Sequence, residues 1–594
     1  LQRLAAHLDA QATAACEAIP QAGRDAPLPL SFAQQRLWFI DRLEGGSAQY
    51  NMPLLLRLRG ELDVPALQQA LDTLVARHEI LRTVYSDTDG AALQQIQPAR
   101  AVAMACDDLR RLPAAAGAQR LQQLAADEAA QPFDLAQDLM LRCRLVHSGE
   151  HDYALLLTLH HIACDGWSLD VLVREFVALY GALRQGRPAQ LAPLPVQYAD
   201  YAAWQRRRLH GEALQAQLGY WRTQLAGLPA LHSLPLDRPR PAQQRFDGAR
   251  VEQLLDAPTL AALQALARQH DASLFMLLQA AFAVLVSRWS GATDIVLGTP
   301  SAGRLHADVE PLIGFFVNTL VLRTDLSGDP TFASVLQQTR AAALSAYEHQ
   351  EVPFEMLVDE LKPTRSLAHA PLFQLMFALQ NNALAALELP DLSVTAAAGA
   401  QERAKFDLQL DVAETELGLS LSWTYAQSLF DAASIERMAD AFQRLLRGIV
   451  EAPQQAISRL PLLSPREREQ VLLGFNATQQ APSGAQTIAS LFEAQVARAG
   501  TAPALRSEEE TYTYAELNQR ANRLAHALLA QGVKPDQRVA ICVQRGLDLV
   551  VGLLGILKAG AAYVPLDPAY PADRLAYMLA DCAPVALLTQ GRLA

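Results

Sequence analysis

The stretch TLHHIACDGWSLD, residues 158–170, is where an apolar run ends in two histidines and an aspartate. The run before it, DYALLLTL from Asp152 to Leu159, is almost continuously apolar, which predicts a strand buried on both faces. Beyond it, apolar residues recur at the spacing of an amphipathic helix, with Ser168 placed to be the helix N-cap. The segment HHIACDG is therefore predicted to connect a buried strand to a helix.

His160 and His161 cannot both face one cavity, because adjacent side chains on a strand point to opposite faces. Connections of this kind are where a rigid scaffold presents catalytic side chains. Asp165 can orient the loop through an arginine or backbone amides, and Gly166 permits a close backbone approach. On this motif alone, two histidines that simply pack in the core remain the alternative. A metal site is not predicted, because no third ligand stands at a usual spacing.

The composition describes a globular chain of several domains, because 594 residues exceed the size at which one hydrophobic core stops growing. The net charge is -12 and no Lys/Arg stripe is clustered, so a nucleic-acid partner is not expected. No window reaches the ~20 apolar residues of a membrane span. Six scattered cysteines and the lack of a secretory signal pattern predict a reducing, cytoplasmic setting.

The chain is predicted to divide at a linker over residues 456–486, which carries prolines, a short charged helix and a polar tail. The strand and helix alternation that follows, over residues 487–594, is typical of a doubly wound sheet. Residues 1–25 are predicted to form a leading helix and linker, either the tail of a carrier linker or a docking helix. The chain starts at Leu1 and stops within a plausible domain, which predicts a piece of something longer.

Seven motifs, taken in order, resemble those of the condensation domains of nonribosomal peptide synthetases. The histidine stretch from residue 160 is similar to the HHxxxDG signature of that family, and the resemblance covers residues 26–455. The other six motifs are SFAQQRLWFID at 31–41, RHEILRTVY at 77–85, YADYAAW at 198–204, IGFFVNTLVLR at 313–323, HQEVPFE at 349–355 and RSLAHAPLFQLMF at 365–377.

Residues 487–594 resemble the beginning of an adenylation domain. The similar stretches are TYTYAELN at 511–518 and LKAGAAYVPLDPAYP at 557–571. The phosphate-binding loop with which such a domain holds ATP comes later and carries a lysine, and no Gly-Lys pair occurs anywhere in this chain. The resemblance therefore implies a truncated adenylation portion that does not activate amino acids by itself.

The resemblance also implies a fold. Condensation domains are similar to chloramphenicol acetyltransferase, in which two α/β lobes with mixed sheets form a V around a tunnel. The N-terminal lobe is expected over residues 26–200 and the C-terminal lobe over residues 201–455. A partial doubly wound α/β adenylation subdomain is expected to follow the linker.

The reaction that the resemblance implies is amide formation. An upstream and a downstream peptidyl carrier domain are expected to deliver 4'-phosphopantetheine arms, one with an acyl or peptidyl thioester and one with the accepting aminoacyl thioester. The first motif resembles subfamilies that accept an L-residue or a fatty acyl donor. The chain's own adenylation domain is the third expected partner. No permanently bound cofactor, metal, nucleic acid or membrane is expected.

Among the residues of the signature, His161 is expected to be the catalytic side chain, either as a base or by positioning the amine. The backbone N–H of Gly166 is expected to serve the oxyanion, and His160 to pack behind the turn. These roles come from the family resemblance.

The resemblance further implies that Asp165 is structural and holds the loop through an ion pair with Arg82 or Arg77. Asn318 is expected to lie in the tunnel or touch substrate. The same is expected of Ser168 and Trp167, although packing is an equal alternative for the tryptophan. Structural roles are expected of Tyr198, Asp200 and Trp204.

Other functions stay open beside condensation. Epimerisation domains share the signature and the fold, although they carry different flanking motifs. Heterocyclisation is less expected, because that subfamily has an aspartate-based signature. A silent platform that recruits partner enzymes is expected to have an eroded signature, and a free acyltransferase using coenzyme A is disfavoured by the adenylation segment.

Overall fold

Contacts within the computed structural model divide the chain into two compact units, residues 1–468 and residues 469–594. The break falls inside the predicted linker of residues 456–486. Most of the predicted leading helix of residues 1–25 lies outside the described residues. The structure describes residues 18–25, 28–88, 91–364, 366–380, 387–389, 392–397, 403–481, 484, 486–507, 510–591 and 593.

The first unit mixes strands and helices throughout. Its strands are β1 (Leu28–Pro29), β2 (Asn51–Gly60), β3 (Thr83–Thr88), β4 (Ala91–Ile96), β5 (Met104–Asp108), β6 (Leu141–Gly149), β7 (Asp152–His160), β8 (Gly248–Asp256), β9 (Asp294–Ser301), β10 (Asn318–Asp325), β11 (Leu375–Gln380), β12 (Leu387–Leu389), β13 (Leu392–Ala397), β14 (Leu408–Thr415) and β15 (Gly418–Ala426). Its helices are α1 (Phe32–Glu44), α2 (Val64–Arg77), α3 (Ala114–Ala130), α4 (Gly166–Arg184), α5 (Tyr198–Arg208), α6 (Gly211–Gln224), α7 (Ala257–Gln269), α8 (Leu274–Ser290), α9 (Phe332–Glu348), α10 (Phe354–Leu361), α11 (Ala432–Glu451) and α12 (Pro465–Glu469), the last of which ends at the break.

The first sheet has the strand order β12-β13-β2-β7-β6-β5. β7 lies inside it, antiparallel to β2 and β6, with Asn51 opposite His160. Residues 154–160 of β7 are all buried, which confirms the predicted strand. β5 pairs parallel to β6, so the sheet is mixed. The histidine pair therefore begins where a fully enclosed strand ends.

The second sheet has the order β10-β9-β11-β14-β15-β8, with β11 parallel to both of its neighbours and the other pairs antiparallel. α8 is its central core helix, buried from residue 276 to residue 287 and packed against α9 and α11. In the part of the chain that the structure describes, no single helix is long and apolar enough to cross a membrane; α7 and α8 pass such a test only as a pair bent by 102°. Two mixed sheets with covering helices confirm the predicted α/β class.

The chain crosses between the two sheets, which the predicted division at residue 200 does not capture. β12 and β13 come from residues 387–397, in the expected C-terminal lobe, yet β13 pairs with β2 at the edge of the first sheet. Leu392 and Val394 alternate inward there and are buried. Residues 304–317, which we call the crossover segment, also pack into the core of the first sheet. Both connections fasten the two expected lobes to each other.

The second unit alternates strands and helices, as predicted. Its elements are α13 (Ile488–Ala499), β16 (Pro503–Arg506), β17 (Thr511–Thr513), α14 (Tyr514–Ala530), β18 (Arg538–Cys542), α15 (Leu547–Lys558), β19 (Ala562–Pro565), α16 (Ala572–Cys582) and β20 (Ala586–Thr589). β18 lies between β19 and β20 and is parallel to both, with α15 and α16 as the intervening helices, which is the pattern of a doubly wound sheet.

Candidate active site

The turn between β7 and α4, residues 160–166, carries the histidine signature, and we call it the signature turn. One turn of 3-10 helix spans His161–Ala163, and α4 begins at Gly166 with Asp165 as its N-cap. The Asp165 carboxylate accepts a hydrogen bond from the N–H of Ser168 over 2.8 Å. Ser168, the predicted N-cap, therefore lies in the first turn of the helix. The helix starts earlier because an aspartate carboxylate is itself a strong cap.

His160 is buried and packs behind the signature turn. Its ring is 1% exposed and meets the ring of Phe133 edge-on, with 5.7 Å between the centroids. Its Nδ1 accepts the N–H of Ile162 over 3.2 Å, so the ring proton belongs on Nε2. Burial lowers the pKa of His160 to about 3, and the ring stays neutral.

His161 faces a cavity of about 680 Å³ that strands of the second sheet and the helices α1 and α5 line. Its ring lies edge-on to Phe315, with the centroids 4.7 Å apart, and its Nδ1 has no hydrogen-bond partner among the described residues. Burial, followed by the charges of Lys405 and Arg36, lowers the pKa of His161 to about 3. The side chain is therefore a neutral imidazole, and its Nδ1 is enclosed by protein.

Asp165 is the anchor of the signature turn, and it is 2% exposed. One of its oxygens, Oδ1, accepts from the N–H and hydroxyl of Ser168 and lies 3.4 Å from Nη2 of Arg304. The other, Oδ2, accepts the backbone N–H groups of Phe316 and Val317 over 2.9 and 3.2 Å. The carboxylate thus ties the turn to the crossover segment.

The predicted ion pair of Asp165 with Arg82 or Arg77 is wrong, because both arginines are engaged elsewhere. Arg77 pairs with Glu175 over 3.1 Å, and Arg82 donates to the backbone carbonyl of Gln97. The partner is instead Arg304, whose side chain is 3% exposed and also donates to backbone carbonyls of the crossover segment. A single arginine in the loop after β9 was the one sequence signal for it.

The three residues that follow Asp165 lie in the first turn of α4 and do not line the cavity. Gly166 is exposed at the first position of the helix and does not line the cavity, so its expected role at the oxyanion gains no support. Trp167 donates its Nε1–H to the carbonyl of Glu310 over 3.2 Å. The buried hydroxyl of Ser168 accepts the N–H of Gly314 over 3.0 Å. Trp167 and Ser168 therefore contact the crossover segment and do not line the cavity, so the substrate contacts expected of them stay a prediction.

Asn318 does line the cavity, at the start of β10. Its side-chain nitrogen donates to the carbonyls of Gln350 and Val352 over 2.8 and 2.7 Å. Its side-chain oxygen accepts the N–H groups of Thr319 and Phe354 over 2.9 and 3.0 Å. These four bonds use the full capacity of a carboxamide, so Asn318 shapes the cavity wall.

The remaining predicted residues support the walls of the site. Tyr198 is buried and donates its hydroxyl to the carbonyl of Phe315 over 2.7 Å. Asp200 is buried and pairs with Arg24 over 2.7 Å. Both contacts fit the expected structural roles, whereas Trp204 also lines the cavity.

Lys405 is a cavity residue that the motifs did not single out. It stands just before β14, and its pKa is lowered by burial and then by the charges of Arg36 and Arg403, which line the same cavity. A basic residue just before an apolar strand was the only sequence signal for it.

Curated relatives match the chain over nearly its whole length. It is 45% identical over 594 residues to a linear gramicidin synthase protein of Brevibacillus parabrevis, covering 100% of this chain and 8% of that protein. It is 42% identical over 602 residues to a dimodular nonribosomal peptide synthase of Bacillus subtilis strain 168, covering 100% of this chain and 25% of that protein. The chain therefore spans a small part of the length of either relative.

Solved structures and family models agree with these relatives. A four-domain nonribosomal peptide synthetase bound to AMP and glycine superposes with a TM-score of 0.80 at 26% identity, covering 98% of this chain and 44% of that one. The X-domain from teicoplanin biosynthesis has a TM-score of 0.68 at 34% identity, covering 75% of this chain and 100% of that one. The condensation-domain model matches residues 25–472 and the AMP-binding enzyme model residues 492–594. The chain belongs to the condensation-domain family of nonribosomal peptide synthetases and continues into a short AMP-binding segment.

Proposed function

We propose that this chain joins an acyl or peptidyl thioester, carried by an upstream carrier domain, to the α-amine of an aminoacyl thioester on a downstream carrier domain. The observation that carries the proposal is the neutral His161 on the cavity wall, in a turn that Asp165 holds to the crossover segment. Two carrier-bound 4'-phosphopantetheine arms would bring the reactants, so no permanently bound cofactor is required. The donor class we infer is an L-residue or a fatty acyl group.

In this mechanism the lone pair of the amine forms the new C–N bond, and the carbonyl π electrons move onto oxygen. Collapse of the intermediate breaks the C–S bond, and the proton lost from the ammonium ends on the leaving thiolate. An α-amine has a pKa near ~8, so a useful fraction is neutral without a base. His161 accepts a hydrogen bond from the amine N–H and orients its lone pair toward the thioester carbon.

The lowered pKa of His161 supports condensation rather than epimerisation. Abstraction of a proton from an α-carbon needs a base whose pKa lies near the operating pH. His161, with a pKa of about 3, is too weak a base for that step but is well suited to accept a hydrogen bond. Condensation is therefore favoured over the alternative that shares the signature.

A recruitment platform is the second rival, because the X-domain from teicoplanin biosynthesis, which is 34% identical to this chain, has been solved in a complex with OxyB. The complete signature and the position of His161 on the cavity wall favour catalysis over recruitment.

The short AMP-binding segment is proposed not to adenylate amino acids. An ATP–pyrophosphate exchange assay with the chain alone tests this and is expected to give no exchange with any proteinogenic amino acid.

A single-turnover assay tests the main proposal. The chain is mixed with a donor carrier domain bearing an L-aminoacyl, D-aminoacyl or fatty acyl thioester and an acceptor carrier domain bearing a proteinogenic L-aminoacyl thioester. We expect an amide product by mass spectrometry for L-aminoacyl or fatty acyl donors. His161→Ala should slow the reaction by about 10²- to 10⁴-fold.

The matched control is Arg174→Gln on α4, because Arg174 forms an exposed pair with Asp170 away from the cavity. This variant should retain the wild-type rate. Full activity in His161→Ala would refute the assigned role, and inversion of the α-carbon of a carrier-bound residue, without amide, would establish epimerisation instead.

A further inference from the structure

Two backbone donors that line the same cavity as His161 are already used by the protein. Along the cavity wall, the N–H groups of Phe316 and Val317 donate to Asp165. The carboxamide of Asn318 is saturated by backbone groups. An oxyanion that forms next to His161 therefore needs a donor from elsewhere in the cavity.

Lys405 supplies such a donor. It lines the same cavity as His161, and its ammonium has no hydrogen bond or ion pair with any residue that the structure describes. Its charge is the one that most lowers the pKa of His161 after burial. Arg36 is the other cation that acts on His161, but it is neutralised by Glu355 at 2.6 Å. Lys405 is thus a cation near the catalytic histidine whose donors no described residue occupies.

We propose that Lys405 is a second catalytic residue, whose ammonium donates a hydrogen bond to the oxyanion of the tetrahedral intermediate. The proposal rests on the condensation function. When the amine attacks, the carbonyl oxygen gains the negative charge, and a fixed cation stabilises that charge more than it stabilises the neutral thioester. The charge on oxygen returns to the carbonyl when the C–S bond breaks, so Lys405 keeps its proton throughout.

Lys405 is exposed within the cavity, and no described residue is paired with its ammonium. Exposed side chains without a packing or pairing role contribute little to the free energy of unfolding. Removal of the charge should therefore leave the stability of the fold unchanged. Removal of a lysine with a purely structural role would instead lower that stability.

The test compares Lys405→Met, which keeps the side-chain length, with Lys405→Arg, which keeps the charge. In the single-turnover assay with carrier-bound L-aminoacyl donor and acceptor, we expect Lys405→Met to be about 10²- to 10³-fold slower, with little change in the donor concentration for half-maximal rate. Lys405→Arg should recover most of the rate. Thermal unfolding should show that Lys405→Met is as stable as the wild type, and Arg174→Gln serves again as the unaffected control.

The outcomes separate this inference from the proposed function. If the wild type forms amide and folded Lys405→Met does so at the same rate, the role of Lys405 is refuted while condensation stands. If Lys405→Met raises only the half-saturating donor concentration, Lys405 binds substrate and the oxyanion assignment is wrong. If the wild type forms no amide with any donor, both proposals fail together.

Discussion

The backbone N–H of Phe316 donates a hydrogen bond to the carboxylate of Asp165 over 2.9 Å, although 151 positions separate the two residues along the chain. This bond and its neighbours join the signature turn to the crossover segment. The geometry of His161 therefore depends on contacts between parts of the chain that fold onto different sheets.

Replacement of Asp165 by alanine should destabilise the first unit by about 3–5 kcal/mol, because the buried guanidinium of Arg304 loses its partner. Urea unfolding followed by tryptophan fluorescence measures this, since all six tryptophans lie within residues 1–468. Asp170→Ala on the same helix removes an exposed pair with Arg174 and should cost about 0.3–0.5 kcal/mol. Equal losses in the two variants would contradict the anchoring role.

Gly303 is required by the crossover segment for space as well as for backbone conformation. It has a φ of +66°, and a Cβ placed on it would lie 2.0 Å from the carbonyl oxygen of Phe316. Gly328 has a φ of +75° but open space around it. Alanine at either position incurs about 1–2 kcal/mol of left-handed strain.

Gly303→Ala must also displace the crossover segment, which should add about 1–3 kcal/mol and slow condensation through His161. Gly328→Ala should show the strain alone and keep the wild-type rate. Urea unfolding and the single-turnover assay on both variants check this. A Gly303→Ala protein no less stable than Gly328→Ala would show that the close approach to Phe316 is not maintained in solution.

The local structure of the signature turn could be predicted from the sequence. A continuous apolar run becomes β7 (Asp152–His160), and a 3.6-residue apolar period becomes α4. Alternation along the strand also separates the buried His160 from the cavity-facing His161. These features depend on residues that are close together in the sequence, so the local pattern of apolar residues is enough to predict them.

Long-range partners could not be predicted in the same way. Arg304 lies 139 positions from Asp165, and two nearer arginines were equally plausible by charge alone. The pairing of β13 with β2 depends on an open sheet edge that no local pattern reveals. Lys405 acquires its significance only when the cavity brings it to His161. The motifs therefore identify the signature turn but not the residues that hold and surround it.

The pH dependence of condensation should follow the substrate amine rather than a histidine. The pKa of His161 is lowered to about 3 by burial and by Lys405, so the ring is neutral at every pH from 5 to 8. The amine attacks only when deprotonated, so the single-turnover rate should fall about tenfold per unit as pH decreases below ~8. A further inflection near pH 6.5 in the wild type, absent from His161→Gln, would show that His161 titrates.

The stability of the first unit should fall with decreasing pH through His160. Burial lowers its pKa to about 3, against about 6.5 when unfolded, so the unfolded chain binds the proton first. This stability is complete above pH 6.5 and is lost toward pH 3, at about 1.4 kcal/mol per pH unit. His160→Asn keeps an acceptor for the N–H of Ile162 without titrating, so its urea unfolding should depend less steeply on pH between 4 and 6. Equal slopes for wild type and His160→Asn would contradict the burial effect.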